Sequence, residues 1–434
     1  MTDAEATGSR RERCALAAAF LLSETTQDAA VAASALVAMQ IFGGYEESLF
    51  IVIVMTMLLI GIQLSHVVGR RGWTVVLGGA AICGAAGLAM MGAALSPRFG
   101  PRNAAALALA GSVLLGAHRA AHMLYRFAAL EIGGVACMGE VFAAATLGGL
   151  LGPQLLIDLG LQKGLVWAAV AQLVAGPLAV MVATRARDAA TASDRETAED
   201  SGRSITAALR KLRDAARGDA LLRLALICGV TSWAIMLLVT VPAAAIAVAS
   251  FKMTTCAAIR ALQVHDFLMN APGPATAAVV ERSGPRAAIA LGLLIYVVVV
   301  GGLWACGSDD ALYPVVMAGG RGETMVQHAF FGLVVVLALG WNFMWLASTS
   351  ALDAAARAGG ATSCGEIAQI RTANEFCIYS ASVAFLLVSM VTRDRYKDVV
   401  LISAPFLVAV AVATSQAKTT SYGVVETRVE TELP

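Results

Sequence analysis

Leu64-Ser-His66-Val-Val-Gly69-Arg70-Arg71 and Val279-Val-Glu281-Arg282-Ser-Gly284-Pro-Arg286 are two versions of one loop. Aligned on their glycines, each places a basic residue within two positions beyond the glycine. Each also follows the second long apolar segment of its own half of the chain. A single glycine-basic turn is unremarkable. Two at equivalent places point to an internal repeat, and parallel repeats related by an axis along the membrane normal are one known way to build a membrane protein.

The segments around these loops are membrane-like. Hydrophobic residues make up 58% of the 434 positions and charged residues only 14%, against about 25% charged in a soluble domain. A bilayer-crossing helix needs roughly 20 apolar residues. Windows such as 74–95, 165–184, 221–250, 287–306 and 330–350 supply them. A net charge of +1 gives no field that would draw nucleic acid. The eight cysteines lie mostly inside apolar runs and form neither Cys-x-x-Cys nor a zinc-spaced cluster with histidine, so they read as small core residues. The polar start, with Arg10, Arg11 and Arg13, does not lead into a short apolar core with a cleavage site. The first apolar segment is therefore expected to remain as a helix.

The sequence predicts spans at 14–42, 48–67, 74–95, 103–126, 133–158, 164–184, 221–250, 256–280, 286–306, 329–350, 368–392 and 399–414. The polar stretch near 185–220 carries eight Arg/Lys residues and reads as a cytoplasmic loop. Its second part, 204–222, alternates basic and apolar residues at helical spacing, as an interfacial helix does. The expected division is an N-terminal bundle over 1–184, a linker over 185–220, and a C-terminal bundle and tail over 221–434. Arg393, Arg395 and Lys397 would then face outward, against the positive-inside trend.

The paired loops resemble the signature of the major facilitator superfamily: a glycine, an acid, a base, then Gly-Arg-Arg/Lys. The second copy keeps Glu281, Arg282 and Gly284; the first keeps Gly69, Arg70 and Arg71 but has His66 where the acid is usual. Further segments are similar to an uncharacterised bacterial-type branch: Tyr125-Arg-Phe-Ala-Ala-Leu-Glu131, Gly148-Gly-Leu-Leu-Gly-Pro153, His265-x3-Met269-x2-Pro272, Gly340-Trp-Asn-Phe343 with Thr349, and Gln369 followed by Asn374-Glu375-Phe376. The resemblance implies an all-α polytopic membrane protein, with twelve transmembrane helices in two six-helix bundles. It implies alternating access for a small-molecule substrate, with no cofactor and no metal. The substrate would be a vitamin (riboflavin-type carriers included), a drug or an organic anion. A monomer in the lipid bilayer is expected, in the plasma membrane by default. The loops at 66–71 and 281–286, with Arg286, would then gate the cytoplasmic side.

An ionisable residue inside a span costs on the order of 2.5–3.5 kcal/mol on insertion scales, so each needs a partner, water or the protein interior. Glu24 and Asp28, four apart, share a helix face; they line a substrate cavity or bond a neighbouring helix. His118, His122 and Arg126 form another row. Arg126 either pairs with Glu131 to steady the helix end or joins His122 at the inner mouth to bind an anionic group. Two histidines without a nearby cysteine or paired carboxylate make a poor metal site. Gly149, Gly152 and Pro153 mark either close helix packing or a pivot. Glu140, His265 and Asp266 are candidate proton carriers, since histidine titrates near neutrality. Trp233, Trp341, Asn342 and Trp345 offer flat rings and one amide, suited to a flat, partly polar solute or to ordinary packing. Gln369, Arg371, Asn374 and Glu375 read as part of a cytoplasmic gate.

Other chemistry is missing from the sequence. It has no P-loop, no His-Glu-x-x-His and no Gly-x-Ser-x-Gly elbow, so no enzyme is expected. A transporter-like receptor or sensor without net flux is the alternative to a secondary transporter.

Overall fold

The structure is a computed structural model; residues 10–43, 48–71, 73–188, 205–249, 254–306, 321–358, 364–392 and 396–417 are described. No strand occurs among them. The first six helices are α1 (Arg10–Phe42), α2 (Ser48–Arg71), α3 (Trp73–Ala94), α4 (Pro101–His122), α5 (Tyr125–Leu159) and α6 (Leu161–Asp188). A short helix, α7 (Ile205–Gly218), follows. The rest are α8 (Ala220–Ala249), α9 (Thr255–Asn270), α10 (Gly273–Cys306), α11 (Arg321–Ala358), α12 (Cys364–Thr392) and α13 (Tyr396–Gln416).

Six stretches among the described residues are long and apolar enough to cross a membrane: Trp73–Ala94, Pro101–Leu159, Leu161–Met181, Ala220–Thr240, Arg260–Ala305 and His328–Ala358. The expected twelve spans therefore do not appear as twelve separate apolar helices. Two of the six stretches, of 59 and 46 residues, exceed a single crossing of roughly 20. Both contain glycine breaks. Gly133 and Gly134 leave helical geometry inside α5, with Gly134 at φ 67 and ψ −158. Gly284 does so inside α10, at φ 80 and ψ 161. That backbone region is essentially closed to residues with a Cβ. The glycine-basic loop of the second half is thus a sharp corner between two helical runs.

Helix α1 packs on α5 and α6, α3 on α4 and α6, and α2 on α4. In the later part α8 packs on α11, α12 and α13, and α10 on α11 and α13. The two sets meet through α2 on α12 and through α5 on α9 and α10. These contacts are backbone-close where glycines allow. Gly139 of α5 faces Gly273 of α10, and an added Cβ on Gly139 would lie 2.9 Å from the Gly273 carbonyl oxygen. Helix α7 buries Ala208, Leu212 and Ala216, four apart, against α12 and α8. Its Lys211 pairs with Glu366 of α12 at 2.7 Å.

Polarity is distributed inside out. Leu59, Ile82, Met181, Leu294 and Val408 are exposed. Glu24, Arg119, Arg126, Arg371 and Glu375 are buried. Water would reverse this arrangement, whereas hydrocarbon favours it because charges then face the protein interior.

Candidate functional site

A polar cluster occupies the middle of the helix assembly. It begins on α1, where Ser23, Glu24, Thr25, Thr26, Gln27 and Asp28 are all buried. Glu24 Oε2 lies 2.6 Å from His122 Nε2. Its other oxygen accepts from Asn270 Nδ2 of α9 at 3.1 Å. Ser23 Oγ sits 2.8 Å from His122 Nδ1, and the Phe20 ring stacks on the imidazole with centroids 4.6 Å apart. Thr26 donates to Gln172 Oε1 of α6 at 2.9 Å. His122 is therefore wedged between a carboxylate, a hydroxyl and a ring; His118 reaches the same Ser23 hydroxyl at 3.4 Å, while Arg126 of the same row bonds elsewhere.

Asp28 is buried with Oδ2 unpartnered. It is near Gly149, whose added Cβ would lie 3.1 Å from Asp28 Oδ2 and 3.4 Å from Asp266 Cβ. The two aspartates thus approach each other across a glycine of α5. Arg119 stands nearby, buried, with Nε and Nη1 unpartnered. Its guanidinium carbon is 5.5 Å from the Phe50 centroid and 5.7 Å from the Trp233 centroid. Trp233, Trp341 and Trp345 meet edge-on and stacked, with centroids 5.3 to 5.7 Å apart.

Below this cluster, charged pairs tie the two helix sets together. Arg126 of α5 is bonded to Glu375 of α12 and its guanidinium lies 3.9 Å from the Trp345 centroid. Arg371 of α12 bonds Glu131 of α5 at 2.5 Å and Asp353 of α11 at 2.7 Å. Trp73 Nε1 donates to the other oxygen of Glu131 at 2.7 Å.

Several sequence expectations are corrected. Arg126 does not pair with Glu131; its partner is Glu375, and Glu131 belongs to Arg371. Arg126 is consequently not free to take an anion at an inner mouth. The Asn342 amide, expected in a substrate cavity, is engaged within the protein. It accepts from Thr276 at 2.5 Å and donates to the Met269 carbonyl at 2.6 Å, bracing the break between α9 and α10. Glu140 is not in the cluster; it is half exposed and pairs with Arg13 at 3.3 Å. His265 turns its Nδ1 to the Val334 carbonyl at 2.6 Å, away from its neighbour Asp266. Gly149, Gly152 and Pro153 keep helical geometry, the break in α5 being at Gly133 and Gly134. They form a close-packed face against α1. Glu281 and Arg282 are exposed at the α10 corner. The side chains of His66, Gly69, Arg70 and Arg71 lie outside the described residues, as do Arg393 and Arg395.

No set of three or more His, Cys, Asp and Glu close enough to hold a metal occurs among the described residues. Arg119 stands one position off the His118–His122–Arg126 row, and nothing local in the sequence marks it as a site residue. What singles it out is its burial beside Asp28 and Glu24, which only the packing creates.

No family profile matches the chain. No curated protein matches it in sequence either. Solved structures do. A bacterial homologue of the iron transporter ferroportin, in the outward-facing state, aligns over 94% of this chain and 98% of its own, with TM-score 0.62 and 16% identity. The human organic anion transporter MFSD10 (TETRAN) aligns over 92% and 99%, with TM-score 0.56 and 15% identity. The fold is major-facilitator-like. Together with the apolar helices, this makes the chain a multi-span integral membrane protein.

Proposed function

We propose that the chain is a secondary active transporter, moving a small organic solute by alternating access between a bundle of α1–α6 and a bundle of α8–α13, with α7 in the linker. Twelve crossings follow if α9 and the first run of α10, up to the corner at Gly284, together make one crossing and the second run of α10 makes the next, and if the first run of α5, ahead of its break at Gly133 and Gly134, extends the crossing of α4. The single observation carrying this reading is where the inter-set bonds fall. Arg126–Glu375 and Arg371–Glu131 cross between the sets near the ends of α4 and α11 and the start of α12. Deeper in, Asp28 Oδ2 and two nitrogens of Arg119 are buried without partners. A closed inner end below a polar centre is the arrangement that rocking bundles require. By the charge of the linker, that end is cytoplasmic. Coupling to protons is assigned to Glu24, Asp28 and Asp266, the carboxylates at the centre. The loops at 66–71 and 281–286 are proposed to lock the same end, and the plasma membrane is the default location.

An organic solute fits better than a metal cargo, because aromatic rings border the centre and its carboxylates and histidines, among the described residues, do not gather three together as a metal site would. The test is counterflow and pH-driven uptake in proteoliposomes, with a panel of vitamins, nucleosides, drugs and organic anions. We expect at least one compound to accumulate under an imposed pH gradient and to collapse with an uncoupler. Saturable binding with neither counterflow nor accumulation would instead establish the receptor reading.

A further inference from the structure

We propose that Arg119 anchors a subsite for a flat aromatic organic anion, with Trp233 and Trp341 as its ring and donor wall. This rests on the transporter reading of the same interface and names the class of its cargo. The inference begins from hydrogen-bond supply. Arg119 Nε and Nη1, Trp233 Nε1 and Trp341 Nε1 are buried donors without partners, and Asp28 Oδ2 is an orphan acceptor in the same cluster. A buried unmade hydrogen bond is costly, and more so on a charged group. Arg119 and the two indoles thus leave four donor atoms to be met.

The other buried arginines each hold a carboxylate, although Nε of each is unpartnered. Arg126 holds Glu375 and the Met123 carbonyl. Arg371 holds Glu131 and Asp353. Glu24 is shared between His122 and Asn270. Arg119 feels Asp28, Glu24, Tyr379 and Asp266 electrostatically, but Nε and Nη1 bond none of them. It sits between Phe50 of α2 and Trp233 of α8, so a ligand on it touches both helix sets. A carboxylate supplies acceptor oxygens matched to a guanidinium, and its ring can lie against the tryptophans. Asp28 then calls for one donor on the ligand, a hydroxyl or an N–H.

The probes are one ring in three charge states: 1-naphthoate, 1-naphthylmethylammonium and 1-naphthalenemethanol. Binding to the purified full-length protein in nanodiscs is read by quenching of tryptophan fluorescence. Naphthoate should bind saturably and at least tenfold more tightly than either other probe. Arg119→Gln should erase that preference, and Arg119→Lys should retain part of it. Asp28→Asn leaves Arg119 in place, so it should keep or strengthen naphthoate binding even if the Arg119 variants fold poorly. Preference for the ammonium probe, no saturable naphthoate binding, or unchanged affinity in Arg119→Gln each overturns the subsite. Saturable naphthoate binding without counterflow would sink the transport reading and leave the subsite standing; flux of a cation with no naphthoate binding would do the reverse.

Discussion

The contact between Arg126 and Glu375 joins residues 249 positions apart, both buried. Removing one partner of a buried pair strands the other charge, which costs about 3–5 kcal/mol. Arg126→Ala or Glu375→Gln should therefore lower the thermal midpoint of the purified protein sharply. Replacing both with leucine should recover much of that loss, since an apolar pair of similar volume is often neutral or better. Equal midpoints for single and double variants would show that the pair is not coupled. This bond also marks where sequence reading stops. Arg126 and Glu131 are near neighbours in the chain, and pairing them was the local choice. The helix break at Gly133 and Gly134 and the approach of α12 decided otherwise, and nothing local records them. Glu24 and Asp28 were legible for the opposite reason: carboxylates in an apolar run need an interior destination whatever packs there.

At the level of helices, glycines set how closely α1 and α5 approach. A Cβ on Gly148 would lie 2.4 Å from the Leu21 carbonyl oxygen, and one on Gly152 would lie 2.5 Å from that of Thr25. Backbone atoms cannot yield as a flexible side chain can. Gly152→Val should thus cost about 1–3 kcal/mol by overpacking, read as a lower midpoint and lower yield of folded protein. Gly284 tests a different cause. Its added Cβ would meet nothing within 4 Å, so any cost there is conformational. At φ 80 and ψ 161 the expected cost is about 1–3 kcal/mol. Asparagine should be no better than alanine, since its tolerance is for the left-handed helical region and not this one. Rescue by asparagine would argue against the corner. Helix positions themselves were largely readable: the span expected at 221–250 is α8, Ala220–Ala249, and the basic amphipathic stretch is α7. Apolar length determines both. The unread part is the interruption of the eighth span, where α9 ends at Asn270 and α10 resumes at Gly273, held by Asn342.

Across the whole molecule, the inner-end bonds should bias which end is open. Arg371 is held by two carboxylates, Glu131 from one helix set and Asp353 from its own. Losing both leaves its buried guanidinium without a counter-ion, while the Arg126–Glu375 pair still spans the sets. A change of about 1.4 kcal/mol in the balance between two states shifts their ratio tenfold. The Glu131→Gln and Asp353→Asn double variant should accordingly populate a form separated at the inner end. Spin labels at Ala136 of α5 and Ala358 of α11, both exposed, would report it as a new, longer distance in the double variant. Restoring Glu131 alone should suppress that component more than restoring Asp353 alone, because only Glu131 reaches across between the sets. Equal suppression by either carboxylate would mean that Arg371 acts within its own set, leaving Arg126–Glu375 as the bond that holds the inner end closed.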